Sequence, residues 1–118
     1  MLPDIALGLV AAIATETAIQ TTHIAIPSST EQLAVHCIEP RHPPRGIVLF
    51  IHGATFPTRL ASGYEFRPND SWLAFVAAEG YLACGFDFVG FGASTRPAAM
   101  LEASGRGAPV LQTPEAAE

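Results

Sequence analysis

Two short segments of this sequence place residues with chemically capable side chains directly after apolar runs. The segment 52–55 (His-Gly-Ala-Thr) follows the run Ile47–Ile51, and Asp87 opens a glycine-rich turn that reaches Ser94. Histidine, aspartate and serine are side chains that supply acids, bases and nucleophiles in enzymes. These two segments are therefore the first candidates for a functional site.

No complete nucleophile motif accompanies them. A catalytic serine often stands on a Gly-x-Ser-x-Gly elbow, a sharp turn from a strand into a helix. The segment 92–96 (Gly-Ala-Ser-Thr-Arg) begins correctly but has Arg96 at the position of the second glycine. Ser104 has no strand-like run before it. The sequence therefore contains no recognisable nucleophile.

The remaining histidines and the two cysteines show no spacing that would hold a metal ion. His23, His36 and His42 form no ligand pattern, and Cys37 and Cys84 form no Cys-x-x-Cys or Cys/His pattern. We interpret the three histidines as surface or edge residues. We interpret the cysteines as two buried free thiols in a reducing compartment. We expect no metal and no other cofactor.

Charge and composition exclude several classes of partner. Six basic residues, all arginine, stand against eleven acidic ones, for a net charge of -5, so no positive patch suits nucleic acid. Without lysine the chain cannot form a P-loop, and Thr95 replaces the last glycine of a Gly-x-Gly-x-x-Gly motif. A hydrophobic fraction of 49% predicts a folded chain with a substantial interior.

The first 16 residues form an apolar leader of uncertain role. Residues 5–14 are all apolar or glycine, but no basic residue precedes them and Asp4 stands where a signal peptide is positive. The run is also too short to span a bilayer, which needs about 20 apolar residues. We therefore expect no membrane span and a cytoplasmic location, with secretion by an atypical signal as the alternative.

Residues 17–118 are predicted to form one α/β unit, which begins with strands. Mixed β-branched and polar residues predict a strand over 17–26 and a second over 32–38. Their short polar link favours an antiparallel hairpin. The continuous apolar run Ile47–Ile51 is typical of a central strand that is covered on both faces in a parallel sheet.

A helix and a further strand follow this run. Residues 71–79 predict a short, mostly buried helix, with Asn69 or Asp70 as its N-cap and Gly80 just beyond its end. Residues 81–88 predict a second buried strand. Strand, helix and strand therefore form a βαβ unit with parallel strands.

The order of these elements resembles the α/β-hydrolase fold family, of the AB hydrolase-1 type. In that family the third strand ends in His-Gly-x, as at His52-Gly53, and a helix follows, here with an early Trp72. The fourth strand ends in Asp-x-x-Gly-x-Gly-x-Ser, as over residues 87–94. The resemblance implies an α/β fold that is a partial hydrolase sheet, namely an N-terminal hairpin plus a parallel βαβ unit, truncated before the nucleophile-bearing strand.

The resemblance also implies roles for the segment 52–55, which is the family's oxyanion loop. Ala54 would donate its main-chain N–H to the oxygen that becomes negative in the transition state, a contribution of about 2.7–4 kcal/mol per donor. An ordinary loop alanine is the alternative. His52 would orient the loop rather than act as the base, because the family's base histidine lies beyond the nucleophile. Gly53 would allow a sharp exit from the strand, and Thr55 would either add a hydroxyl or hold the turn.

Other residues near these motifs are predicted to be structural. Asp87 is expected to fix the glycine-rich turn rather than to act as an acid. Phe56, Tyr64 and Phe66 could wall an acyl pocket, but we favour packing beneath their own loop.

The family's nucleophile, acid and base would follow a helix that begins near Pro114, beyond this sequence. We therefore expect the complete protein to hydrolyse a carboxylic ester or similar small-molecule acyl substrate, and this chain alone to be inactive. Without the family's next strand, Ile47–Ile51 becomes an open edge, so we predict poor solubility or a protein partner on that strand. The alternative is a non-catalytic hydrolase-derived fragment or interaction module that pairs this edge with another chain.

Overall fold

The computed structural model describes residues 18–103 as a four-stranded sheet with one α-helix. The strands are β1 (Gln20–Ala25), β2 (Gln32–Ile38), β3 (Ile47–Ile51) and β4 (Leu82–Phe86). Helix α1 (Trp72–Ala78) connects β3 to β4, and 3-10 helices cover Thr58–Leu60 and Ala98–Leu101. The apolar leader and the helix start near Pro114 lie outside the described residues.

The sheet combines an antiparallel hairpin with a parallel crossover. Its strand order is β1-β2-β4-β3. β2 pairs antiparallel with both β1 and β4, whereas β3 pairs parallel with β4. The predicted hairpin and the predicted βαβ unit are both confirmed.

Helix α1 begins at a serine cap. The Ser71 side chain accepts a hydrogen bond from the N–H of Ala74 at 3.0 Å, so the prediction of Asn69 or Asp70 as N-cap is wrong. Asn69 has a φ of 64°, a left-handed conformation, whereas Ser71 has the extended backbone that an N-cap needs. Gly80 follows the helix with a φ of 97°, as its predicted position beyond the end requires.

The core lies between α1 and one face of the middle strands. Leu73, Ala74 and Ala77 of the helix pack against Ile38 of β2 and Ala83 of β4, and all five are buried. Burial of a leucine or isoleucine side chain contributes about 1.5–3 kcal/mol. This contact fixes the helix, and with it the end of the loop that precedes it.

Strand β3 is the open edge of the sheet and is covered on one face only. Phe50 packs against the core cluster, whereas Ile47, Leu49 and Ile51 are 70%, 50% and 66% exposed. The prediction that β3 is covered on both faces is wrong for residues 18–103, because α1 covers a single face. The expected open edge is present, since β3 pairs only with β4 among the described strands.

Cys37 and Cys84 form a disulfide, so the prediction of two free thiols is wrong. The antiparallel pairing of β2 with β4 places the two residues directly opposite each other, with their Cα atoms 4.1 Å apart. They are 47 residues apart in the chain, so no local spacing indicates the pair. Disulfides persist in oxidising compartments, which removes the basis for assigning a reducing one.

Asp87 connects the turn after β4 to β2 and to the loop after β3. Its buried carboxylate accepts hydrogen bonds from Nε2 of His36 at 2.8 Å, from the N–H of Thr58 at 2.8 Å and from the N–H of Ala93 at 3.0 Å. The prediction that Asp87 fixes the glycine-rich turn is therefore confirmed.

His36 is buried, so its interpretation as a surface or edge residue is wrong. Strand alternation places it on the face of β2 that α1 covers, beside Ala34 and Ile38, and its Nδ1 lies 2.9 Å from the Thr21 hydroxyl. Its partner Asp87 is 51 residues away in sequence, so spacing gave no signal. His23 and His42 are exposed, as predicted.

The charge of Asp87 stabilises the fold in a pH-dependent way. Burial raises the pKa of the carboxyl group, but hydrogen bonds from His36, Ala93 and Thr58 outweigh it, so the pKa lies below its ordinary value of 3.8. Folding therefore favours the ionised form. The resulting stability is fully present above pH 3.8 and is lost as the pH falls through the lowered pKa.

Asp87→Asn is expected to lower the free energy of unfolding at pH 7 by about 1–3 kcal/mol, because the amide nitrogen cannot accept one of the buried hydrogen bonds. Urea denaturation from pH 7 to pH 2.5 measures the loss, which should shrink below pH 3.8. Asp70→Asn is the control, because the carboxylate of Asp70 is 57% exposed and lies 3.9 Å from Arg67. Equal losses in the two variants would contradict this role of Asp87.

The open edge of β3 predicts self-association of the 118-residue chain. The strand has no charge and no proline, the features that protect natural edges. Leu49→Lys is expected to shift the chain towards monomer in analytical ultracentrifugation over a concentration series. Ile24→Lys, at a 53% exposed position on the opposite edge strand β1, should leave the association unchanged. A wild-type chain that stays monomeric at all concentrations would refute the prediction.

Candidate functional site

The segment 52–55 and the turn after Asp87 lie at the same edge of the sheet. β3 and β4 are parallel, and Ile51 is in register with Phe86, so both strands end at the same level. His52 directly follows β3, and Asp87 directly follows β4. Ligands of open α/β sheets bind outside the carboxyl ends of the strands.

The imidazole of His52 connects the two segments. The N–H of Phe88 donates to Nε2 at 3.1 Å, and Nδ1 lies 2.6 Å from the carbonyl oxygen of Gly53. Because a backbone N–H only donates, Nε2 is the acceptor and Nδ1 carries the proton that it donates to Gly53. The ring also contacts the rings of Phe88 and Phe91, with centroids 4.9 and 5.0 Å away. Both ring nitrogens therefore have partners within the protein.

Residues 53–55 are exposed beside this histidine. Within residues 18–103 the main-chain N–H of Ala54 forms no hydrogen bond, and neither does the Thr55 hydroxyl. A Cβ atom at Gly53 would meet nothing within 4 Å, and its φ is not positive. A side chain at position 53 would therefore project into open space.

An open cleft of about 610 Å³ adjoins this segment. Its lining comprises Phe50, Ile51, His52, Gly53, Ala61, Ser62 and Trp72. Small-molecule sites commonly measure about 300–1,000 Å³, so the cleft has the size of a ligand site. Sequence analysis missed Ala61 and Ser62, because they lie in a loop without a motif, and noted Trp72 only as an early helix residue.

Ser94 does not reach this cleft with a free hydroxyl. It is 5% exposed, accepts a hydrogen bond from the N–H of Ala34 at 2.8 Å, and donates to the carbonyl oxygen of Asp87. Its side chain therefore fixes the turn after β4 against β2. This agrees with the expectation that the Gly-Ala-Ser-Thr-Arg segment is not a nucleophile elbow.

Three aromatic residues of the long loop do not pack beneath it. Phe56, Tyr64 and Phe66 are 57%, 48% and 82% exposed, so the favoured sequence interpretation is wrong. The buried position under the loop is taken by Thr58, which is 1% exposed. Tyr64 and Phe66 contact each other instead, with ring centroids 5.0 Å apart.

No helix in the described part of the chain has the length and apolarity to cross a bilayer. Between residues 18 and 103 there is also no group of three or more His, Cys, Asp or Glu side chains that could hold a metal ion.

Three solved structures resemble parts of this chain. A thioesterase domain from the curacin biosynthetic pathway is 25% identical over 70% of the chain, with a TM-score of 0.48. A protein described as a hydrolase from Agrobacterium vitis S4 is 17% identical over 70%, with a TM-score of 0.49. The 2-hydroxy-6-oxo-6-phenylhexa-2,4-dienoate hydrolase from Rhodococcus sp. strain RHA1 is 20% identical over 69%, with a TM-score of 0.38.

The chain spans 25%, 30% and 26% of the lengths of these three proteins. No protein-family model and no curated protein matches the sequence.

The topology of the sheet identifies the fold. The order β1-β2-β4-β3 combines the hairpin and the parallel βαβ unit that the α/β-hydrolase resemblance predicted. The His-Gly motif follows β3, and the Asp-x-x-Gly-x-Gly-x-Ser motif follows β4, at the same edge of the sheet. The described residues therefore form the partial α/β sheet that the α/β-hydrolase resemblance predicted, a hairpin plus a parallel βαβ unit.

Proposed function

We propose that this chain is the oxyanion-loop part of an enzyme that hydrolyses a carboxylic ester or a similar small-molecule acyl substrate. The observation that carries the proposal is the main-chain N–H of Ala54, an exposed residue, which has no partner in residues 18–103 and directly follows Gly53 in the lining of a ligand-sized cleft. The 118-residue chain alone is inactive in this proposal. Its nucleophile, general base and acid come from outside the described residues.

Ala54 acts through its backbone. When a nucleophile attacks the carbonyl carbon of the substrate, negative charge develops on the carbonyl oxygen, and a fixed N–H donor lowers the barrier by about 2.7–4 kcal/mol. The small side chains of Gly53 and Ala54 leave room for the substrate to approach this N–H. The open space around Gly53 supports that role, because any side chain there would project into it.

His52 is a positioning residue in this proposal, not the general base. A base needs a ring nitrogen that is free to take a proton from the nucleophile, and both nitrogens of His52 already have backbone partners. These two contacts fix the loop after β3 to the turn after β4. Thr55 contributes its exposed hydroxyl to the same loop, either to the substrate or to the turn itself.

The cytoplasmic location expected from the sequence stays a prediction. The Cys37–Cys84 disulfide argues against it, because thiols in the cytosol are kept reduced.

A second candidate function is an interaction module derived from a hydrolase. The open edge and exposed face of β3 favour it, because an extended segment of a partner could add a strand there. Ester turnover and partner state, measured on the same preparation, separate the two functions. A stable complex through β3 without turnover supports the module.

Translation of the gene beyond codon 118 tests the enzyme proposal first, because a nucleophile elbow should follow within the next few dozen codons. In that longer protein, Ala54→Pro is expected to lower kcat for p-nitrophenyl esters by about 10²–10³-fold, since proline has no N–H to donate. Ala54→Gly keeps the donor and should retain most of the activity. Equal kcat values for the two variants, at unchanged melting temperature, would exclude Ala54 as a donor.

His52→Ala tests the positioning role in the 118-residue chain itself. The amide of Phe88 loses its acceptor in this variant, so its hydrogen–deuterium exchange should accelerate, as measured by NMR or mass spectrometry. In the longer protein kcat should fall by about 10²-fold, because the loop is misplaced. His42→Ala, at an exposed histidine, is the control. Unchanged exchange at Phe88 would remove the role assigned to His52.

A further inference from the structure

A second groove, of about 600 Å³, runs along the outer side of α1 and the long loop. Five large apolar or aromatic side chains line it: Leu60, Tyr64, Phe66, Trp72 and Phe75. They are between 48% and 82% exposed. Monomeric proteins rarely leave such a contiguous patch uncovered without a binding role.

The groove adjoins the cleft at the oxyanion loop. Ala61 and Trp72 line both, so an extended ligand at Gly53 would reach the groove by passing Trp72. The loop that carries Ala61 is fixed to the helix, because the N–H of Leu73 donates to the carbonyl oxygen of Ser62 at 3.0 Å. The wall that the groove and the cleft share is therefore held in place by this hydrogen bond.

Aromatic contacts and charge restrict what this groove can bind. Trp72 and Phe75 meet edge to face at 6.4 Å, as do Tyr64 and Phe66 at 5.0 Å, so rings form both walls. Asp70 is the one side chain in the lining that is charged at neutral pH. Its carboxylate lies 3.9 Å from Nε of Arg67, and the lining itself contains no basic side chain, so the aromatic walls favour uncharged apolar groups over an anion.

We propose that this groove holds the acyl group of the substrate, and that the acyl group is an uncharged alkyl chain of several carbons or an aromatic ring. Its carbonyl then lies at Ala54 and its far end lies against Trp72 and Phe75. The inference rests on the proposed function, since it assigns the substrate class to the same site. It adds Trp72 and Phe75 as residues that determine specificity.

The single tryptophan of the chain, Trp72, makes the groove directly observable. Ethyl acetate, ethyl butanoate and ethyl octanoate are titrated into the 118-residue chain while Trp72 emission is recorded. The octanoate ester should shift the emission to shorter wavelength. Its affinity should exceed that of the shorter esters by up to about fourfold for each added methylene that is buried. Octanoate anion should bind more weakly than its ester.

Phe75→Ala should weaken the binding of ethyl octanoate, whereas Phe56→Ala should not. The two phenylalanines form a matched pair, 59% and 57% exposed, of which only Phe75 lines the groove. Emission that is insensitive to ethyl octanoate, or equal losses in the two variants, would overturn the inference. So would a longer protein in which Trp72 is already shielded by its own chain and does not respond.

Activity of the longer protein separates the two proposals. Groove binding by the chain without any ester turnover in the longer protein contradicts the proposed function and leaves the groove standing. Turnover with no preference for long or aromatic acyl groups contradicts the groove and leaves the proposed function standing.

Discussion

One buried carboxylate holds together the three segments that surround the candidate site. Asp87 accepts hydrogen bonds from His36 on β2, from Thr58 in the loop after β3, and from Ala93 in the turn after β4. Burial alone would favour the uncharged acid, and the lowered pKa shows that these donors outweigh it. The loop geometry beside the cleft therefore depends on the charge of a residue that does not line the cleft itself.

Among the described residues, only one face of the sheet is covered by a helix. For this reason the structure is compatible with both candidate functions, part of an enzyme and an interaction module. Helix α1 buries one face, while the exposed side chains of β3 and the unpaired side of that strand remain open to another segment. Further chain of the same protein could cover them, as an enzyme would require, and so could a separate partner. The Cys37–Cys84 disulfide joins the two middle strands in either case.

Local sequence patterns predicted the strands and the helix. They did not predict contacts between residues that lie far apart in the sequence. Alternation and apolar runs located the strands and α1, and the predicted βαβ unit gave the parallel pairing of β3 with β4. The disulfide and the burial of His36 depend on the register of β2 against β4, which no spacing along the chain reveals. The exposed Tyr64 and Phe66 were missed because Thr58 occupies the buried position under their loop.

The central claim is that the Ala54 amide stabilises negative charge on an acyl oxygen. Its most direct test is the NMR signal of that amide proton in the longer protein of the proposed function, when a trifluoromethyl ketone forms a tetrahedral adduct with the nucleophile. A large downfield shift at Ala54, with an N–O distance of about 2.7–3.1 Å in the crystal structure of the adduct, is the predicted result. An adduct that forms while the Ala54 resonance stays unchanged would contradict the account.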